Sequence, residues 1–213
     1  MVDNQNSMDV KGFFDTDTNT ISYVVTDKKT AICAVIDSVL DLDYASGNIK
    51  YENVDKIVDF ITENHLKLEW LVETHVHADH LSAAPYIQQK LGGRIAISKE
   101  IVHVQKIFGK IFNAGTEFER DGSQFDLLLN DGDSYSIGNL QAKAIHTPGH
   151  TPACMAHMIE DCVFVGDTLF MPDGGTARAD FPGGDARVLY RSIQKILALP
   201  DETRLFVCHD YMP

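Results

Sequence analysis

Directly after the apolar run Leu68-Glu69-Trp70-Leu71-Val72, three imidazoles and a carboxylate fall within six residues: His75, His77, Asp79 and His80. A buried strand that stops abruptly in His-x-His-x-Asp-His sets its donors on a loop at a sheet edge, where they can converge. Imidazole and carboxylate together suit zinc, iron or another borderline divalent cation better than calcium or magnesium. The ordinary alternative is a hydrophilic turn that happens to be rich in histidine, and the density of donors behind a buried strand weighs against it. The same arrangement recurs three times. Leu140 to Ile145 runs into His146-Thr147-Pro148-Gly149-His150, Cys162 to Gly166 into Asp167-Thr168, and Arg204 to Cys208 into His209-Asp210. Singly, His150 reads as a turn histidine, Asp167 as a helix cap and His209 as a satisfied core residue. Four strand ends that each deliver His or Asp point instead to a metal site. His146 fits a helper that orients its loop as well as it fits a ligand. His65, His103 and His157 lie on predicted helix or strand faces and read as structural or exposed.

Periodicity supplies the scaffold. Ile21 to Thr26 and Ala31 to Ile36 read as two short strands around Asp27-Lys28-Lys29. Val54, Ile57, Val58 and Ile61 recur at i, i+3, i+4 and i+7, an amphipathic helix with Asn53 as its expected cap. Leu68 to Glu73 reads as a buried strand. A helix is expected from Leu81 to Leu91, stopped by Gly92-Gly93, then a strand from Arg94 to Ile97 and a helix from a Ser98 cap to Phe112. The polar segment 113–124 reads as an exposed loop. Leu127 to Leu129 and Tyr135 to Ile137 flank Asn130-Asp131-Gly132-Asp133, a hairpin signal. Strands at Leu140 to Ile145, Cys154 to Ile159 and Cys162 to Val165 follow. Asp185 is the expected cap of a helix with Val188, Leu189, Ser192, Ile193, Ile196 and Leu197 inside, and a last strand covers Arg204 to Cys208. Strands that alternate with helices first and pair antiparallel later imply two mixed sheets with helices outside, an α/β chain. No repeat or linker interrupts it, so residues 1–213 read as a single domain.

Composition excludes several classes of partner. Thirty-one acids against 18 bases leave a formal charge of −13, which argues against a nucleic-acid backbone or an anionic membrane. No stretch approaches the ~20 consecutive apolar residues of a membrane span. The start, Met1-Val2-Asp3-Asn4-Gln5-Asn6, has neither a basic nor an apolar leader region, so a cytoplasmic address is expected. Cys33, Cys154, Cys162 and Cys208 are scattered among apolar neighbours and read as reduced, mostly buried thiols.

The donor series His75, His77, Asp79, His80, His150, Asp167 and His209 resembles the signature of the metallo-β-lactamase superfamily. The resemblance covers nearly the whole chain and implies a four-layer αββα sandwich with the metal site at one edge of its two sheets. Because that superfamily holds hydrolases, nucleases and oxidoreductases, the fold alone does not give the reaction. The flanks are narrower. Thr74 to Ala84, Gly166-Asp167-Thr168-Leu169-Phe170, Ala177-Arg178-Ala179-Asp180-Phe181-Pro182-Gly183-Gly184 and His209-Asp210-Tyr211 resemble the persulfide dioxygenase branch, close to bacterial proteins labelled β-lactamase-like hydrolase. That resemblance implies oxidation of glutathione persulfide by O2 to sulfite and glutathione, with one Fe(II) per chain. It implies His75, His150 and Asp167 as the iron ligands, a set that leaves open positions for a sulfur anion and O2. His77, Asp79, His80 and His209, which would hold a second metal in the hydrolases, become an outer shell. Arg178 and Asp180 read either as a polar bridge holding the site loop near substrate or as a surface salt bridge. Tyr211 reads either as a hydrogen-bond donor to substrate or oxygen or as a structural residue.

The principal rival is a thiolester hydrolase of the glyoxalase II type with two zinc or iron ions and a bridging hydroxide. The donor count allows it, while the two flanking runs and the lack of an appended glutathione-binding helical domain weigh against it. A non-enzymatic metal-binding protein is the third reading. A flavin-dependent diiron reductase is disfavoured because that branch usually has Glu where His77 stands, and a nuclease by the negative charge. The expected partners are a small-molecule persulfide and O2, with neither nucleic acid nor membrane, and a homodimer is possible by analogy with relatives. Relatives also continue past His-Asp-Tyr with a segment that closes the sandwich, so the end at Pro213 reads as a missing C-terminal portion and leaves the substrate side less complete than the metal side.

Overall fold

The computed structural model describes residues 7–211. The opening six residues and the end at Pro213, on which the leader and truncation readings rest, lie outside the described residues. In chain order the first half comprises β1 (Met8–Asp15), β2 (Thr20–Asp27), β3 (Ile32–Ile36), β4 (Val39–Asp43), β5 (Asn48–Lys50), α1 (Glu52–Glu63), β6 (Lys67–Val72), β7 (Leu81–Ser82), α2 (Ala84–Leu91), β8 (Arg94–Ser98), α3 (Ile101–Ile111) and β9 (Leu127–Leu129). The second half comprises β10 (Ser134–Ile137), β11 (Leu140–His146), β12 (Met155–Ile159), β13 (Cys162–Phe164), a short 3-10 turn (Gly166–Thr168), α4 (Ala186–Leu197) and β14 (Arg204–Phe206).

Two sheets face each other. One runs β1-β2-β3-β6-β8-β9 and the other β10-β11-β12-β13-β14, with a small β5-β4-β7 sheet at the side. The period-two alternation of strands divides their residues between an inner and an outer face. Val25, Ala34, Ile36, Trp70 and Val72 meet Ile137, Leu140, Ala144, Met155 and Phe164 between the sheets. On the outside of the first sheet, Val24, Cys33, Val35 and Leu71 pack on Val54, Ile57, Val58 and Ile61 of α1 and on Ile87 of α2. Outside the second sheet, Ala156, Val163 and Val165 pack on Ile196 of α4. The result is the expected αββα order. Parallel pairing of β3, β6 and β8 matters most for the site, because parallel strands present all their C-terminal ends at one edge. All four cysteines are buried and free.

Several local expectations are corrected. Asn53 does not cap α1: Tyr51 holds that position without a side-chain bond, and Asn53 instead binds the Asp41 carboxylate through its backbone and side-chain nitrogens (3.0 and 2.7 Å). Leu81 and Ser82 form β7 rather than the start of α2, since they pair with Val39 and Leu40. Ser98 ends β8 and accepts from Glu100 N at 3.2 Å, leaving Glu100 as the residue before α3. The turn Asn130–Asp133 is no hairpin. β9 pairs with β8 in the first sheet and β10 with β11 in the second, so the turn carries the chain between layers. Asp133 closes it by accepting from Asn130 N at 2.7 Å, a local bond that serves either topology. The last strand stops at Phe206, two residues short of Cys208. Strands β1, β4 and β5 are additional to those expected. β1 is at the edge of its sheet beside β2, and Met8-Asp9-Val10-Lys11 carries the period-two alternation of a half-buried strand. Asp185 caps α4 as expected, accepting from Arg187 N and Val188 N. Among the described residues no helix is long and apolar enough to cross a membrane.

His65 and His103 are exposed, whereas His157 is fully buried on β12 and shares a 3.0 Å hydrogen bond with Tyr135 Oη. Burial lowers the His157 imidazole to about 4. The unfolded chain takes up this proton near pH 6.5 and the folded chain does not, so the contribution is complete above 6.5 and is lost as pH falls towards 4. Urea unfolding across that window should show stability falling by up to about 3 kcal/mol more in the wild type than in His157→Gln. Equal slopes in the two proteins would contradict this assignment.

Candidate metal centre

Asp37 fastens the histidine loop to the sheet. It follows β3 directly, in the left-handed conformation (φ 50°) that Asp adopts more readily than most residues. Its carboxylate accepts from Thr74 N and from Thr74 Oγ1, both at 2.8 Å, and Oδ1 lies 3.2 Å from His77 Nε2. Thr74 Oγ1, having donated its proton to Asp37, accepts from His75 Nδ1 at 3.0 Å, which leaves the lone pair of His75 on Nε2. A parallel device orients His150: its Nδ1 donates to Arg178 O at 2.7 Å, again freeing Nε2. His80 and His209 both direct Nδ1 at the Thr20 hydroxyl, at 3.5 and 3.3 Å.

Two glycines allow these approaches. A Cβ on Gly166 (φ +52°) would lie 2.5 Å from Thr74 Oγ1, and one on Gly149 (φ +139°) would lie 2.3 Å from the Leu189 backbone nitrogen.

The freed atoms gather. Donor atoms of His75, His150 and Asp167 lie within 4.8 Å of one another, and so do those of His77, Asp79 and His80, and those of Asp167, Cys208 and His209. Asp167 Oδ2 is 3.8 Å from His75 Nε2 and 3.6 Å from His150 Nε2, while Oδ1 is 3.3 Å from His209 Nε2 without hydrogen-bond alignment. Buried His75 Nε2, His77 Nδ1, His80 Nε2, His209 Nε2 and Asp167 Oδ1 have no hydrogen-bond partner among the described residues. Each such atom costs about 1–3 kcal/mol when left unsatisfied, and a bound cation would satisfy them together. The residues therefore fit a metal ion. Protonation agrees for two of them: burial, reinforced by neighbouring imidazoles, holds His75 well below the ordinary histidine range and lowers His80. His77 behaves oppositely. Burial would lower it, but Asp37 and Glu73 outweigh that and raise it well above the ordinary range. Glu73 stands 3.4 Å from His77 Nε2 and accepts from Ser82 Oγ at 2.5 Å; burial raises its carboxyl. Burial likewise opposes Asp79, yet its contacts with His80 and His209 hold it at about 2.

An open pocket of about 340 Å3 leads to His150 and Asp167, walled by Asp79, Phe170, Arg178, Phe181 and Tyr211 among others. Tyr211 stacks on His209 (centroids 5.4 Å apart, 9° between planes). Its phenol is pushed up to about 12 by burial and by Asp167 and Asp79, so it stays a hydrogen-bond donor at neutral pH. Arg178 and Asp180 form an exposed bidentate pair at 2.6 and 2.7 Å. The two side chains form a surface salt bridge, and separately the Arg178 backbone carbonyl orients His150. His146 is a loop helper: its Nε2 donates to Pro152 O at 2.8 Å.

Asp37, Glu73, Thr74, Thr20 and Tyr44, whose Oη donates to Asp79 O at 2.6 Å, are the residues that sequence reasoning missed. For Asp37 the signal was present, since it too follows an apolar strand. Glu73 carried the same signal, ending its strand with partners four and nine residues on, whereas Thr20, Tyr44 and the Thr74–Asp37 bonds depend on contacts between residues far apart in the chain.

Comparison with known proteins places this geometry. The family model described as the metallo-beta-lactamase superfamily matches residues 15–209. The chain is 55% identical, over 97% of its length and 74% of the relative's, to a probable metallo-hydrolase of Burkholderia pseudomallei. It is 46% identical to a Dictyostelium discoideum protein named Glyoxylase B2 (98% of this chain, 72% of that one), and 30% identical to the human mitochondrial persulfide dioxygenase ETHE1 (90% and 64%). The crystal structure of ETHE1 from Myxococcus xanthus superposes with a TM-score of 0.75 at 29% identity, covering 95% of this chain and 76% of that one. Some relatives are much longer: the chain spans 47% of a beta-lactamase hydrolase-like protein of Agrobacterium fabrum.

Thr74→Val keeps the shape of the side chain and removes the hydroxyl that links Asp37 to His75. Equilibrium dialysis should show metal affinity lower by about 10–100-fold, with the metal-free protein still folded by circular dichroism. Unchanged affinity would show that the Asp37–Thr74–His75 chain does not orient the ligand.

Proposed function

The chain belongs to the metallo-β-lactamase superfamily, and we propose that within it the protein is a mononuclear non-haem iron dioxygenase, acting on glutathione persulfide or a similar low-molecular-weight persulfide. In this reading a persulfide, O2 and water give sulfite and the free thiol, water supplying the third oxygen of sulfite. The observation that carries it is the convergence of two histidine donors, His75 and His150, with one carboxylate, Asp167. A 2-His-1-carboxylate set is the ligand pattern of non-haem Fe(II) oxygenases. Similarity to persulfide dioxygenase ETHE1 over most of the chain supports the same reading. Iron held there would supply open positions for a sulfur anion and for O2.

The chain's own groups have separate tasks in this reaction. Thr74 and the Arg178 carbonyl fix the tautomers of His75 and His150. Phe170 and Phe181 keep part of the pocket wall apolar, and Tyr211 offers its phenol proton to a bound oxyanion or sulfur anion. His209 stands 3.3 Å from Asp167 as an electrostatic neighbour, and Asp79 lies beside His209 and His80 at 3.3 and 3.6 Å. A second reading, a dinuclear thiolester hydrolase, is favoured by the unpartnered nitrogens of His77, His80 and His209 and by the relative named Glyoxylase B2.

Anaerobic purification, metal analysis and O2 uptake with glutathione persulfide separate the two. About one iron per chain with persulfide-dependent uptake is expected. Two metals per chain, no uptake and cleavage of S-lactoylglutathione would sink the dioxygenase reading. In the same preparation His75→Ala, His150→Ala and Asp167→Ala should lose the metal while His77→Ala retains much of it. Equal loss in all four would count against a mononuclear site.

A further inference from the structure

The metal pocket is acidic where its proposed substrate is anionic. Asp79 and Asp167 line it, and its single cation, Arg178, is engaged bidentately by Asp180. A bound cation would answer Asp167 and the sulfur anion, so on a chain of formal charge −13 it is the positive charge for the thiol's carboxylates that must come from another surface. Lys99, His103, Lys106 and Lys110 provide one. They fall at i, i+4, i+7 and i+11, one stripe along α3 and the residues leading into it. With Val102 and Ile107 they line an open cavity of about 610 Å3 in which Glu100 is the sole acid.

Lys99 lies within electrostatic reach of the Asp133 carboxylate, while the middle and far end of the stripe stand outside the ion pairs. Among the described residues the Lys and Arg ion pairs are Lys90–Asp55, Arg178–Asp180, Lys195–Asp131 and Arg204–Asp161. Lys106 and Lys110 enter none of them, and as like charges at i, i+4 they oppose the helix that carries them.

The cavity also adjoins the catalytic loops. Ile101 and Val104 of α3 pack on Ala153, three residues after His150. Ile107 Cδ1 lies 3.1 Å from the position a Cβ on Gly183 would take, and one on Gly184 would be 3.0 Å from His150 O. The segment 178–184, which orients His150 through the Arg178 carbonyl, is thus backed on its other side by the wall of the basic cavity.

We propose that the Lys99–His103–Lys106–Lys110 cavity docks the carboxylates of a peptidic thiol whose sulfur end enters the metal pocket. This rests on the persulfide reading for what happens at the sulfur, and selects carboxylate-bearing thiols over neutral ones as its substrates.

The test uses metal-loaded protein and an unreactive probe, S-methylglutathione, by isothermal titration calorimetry. The Lys106→Glu/Lys110→Glu variant should bind roughly tenfold more weakly, and high salt should weaken the wild type similarly. The diethyl ester of the probe should bind weakly to both proteins. Lys106→Gln/Lys110→Gln, expected to fall between, separates charge from any disturbance of the helix. Equal affinity of wild type and both variants, or of probe and ester, overturns the proposal. If the lysines govern probe binding while persulfide oxidation is absent, the docking site stands and the dioxygenase reading falls. If oxidation proceeds with KM for glutathione persulfide unchanged in the variants, the reading stands and the docking site falls.

Discussion

One buried carboxylate organises the edge of the sandwich. Asp37 sits where β3 ends, accepts two hydrogen bonds from Thr74 and faces His77, so the start of the histidine loop cannot drift from the sheet. Burial opposes its charge, yet its contact with His77 holds the carboxyl at about 2. A charged group in that place is tolerable only because every neighbour answers it, and that requirement fixes Thr74, His75 and His77 together. Replacing Asp37 with an apolar residue would leave Thr74 N, the Thr74 hydroxyl and His77 Nε2 without their acceptor. The orientation of His75 is therefore a property of the sheet as a whole and not of the loop that bears it.

The site is assembled in the same manner elsewhere. His150 depends on a carbonyl from a loop 28 residues on, and His80 and His209 depend on a hydroxyl from β2. Side chains that hold a cation must lose their freedom beforehand, since a mobile imidazole would give up entropy on binding. The hydrogen bonds behind the donors do that. They also divide the labour between the two sheets: His75, His77 and His80 follow the first, while His150, Asp167 and His209 come from the second. The cation position lies where the two layers meet.

The donors themselves were legible in the sequence because each terminates an apolar strand, a pattern local enough to read without the fold. Two mixed sheets with helices outside were legible for a similar reason, as strands alternate with helix-period segments in the first half and follow one another in the second, while the four-layer αββα order was what the family resemblance implied. What escaped was set by pairing between distant segments. Nothing near Asn130–Asp133 distinguishes a hairpin from a passage between sheets, since the Asp133–Asn130 bond forms either way. Leu81 and Ser82 look helical until Val39 and Leu40 are beside them. Thr20 and Thr74 are ordinary threonines in isolation. Their importance arises from imidazoles that reach them from as far as His209.

That wide spacing of the donors sets an order of maturation. The segment from His75 to His80 alone is contiguous; His150, Asp167 and His209 arrive from three other strand ends. A chain still emerging or still unfolded can offer a cation only the first fragment of the site, and the firm grip exists once both sheets have closed. The solvent-open pocket beside Tyr211 and Arg178 reaches His150 and Asp167, and another reaches His75, His77 and His80, so a folded chain can take up a cation from solvent. Once in place it ties the two layers at the edge where they meet, so its departure and the separation of the sheets become linked events.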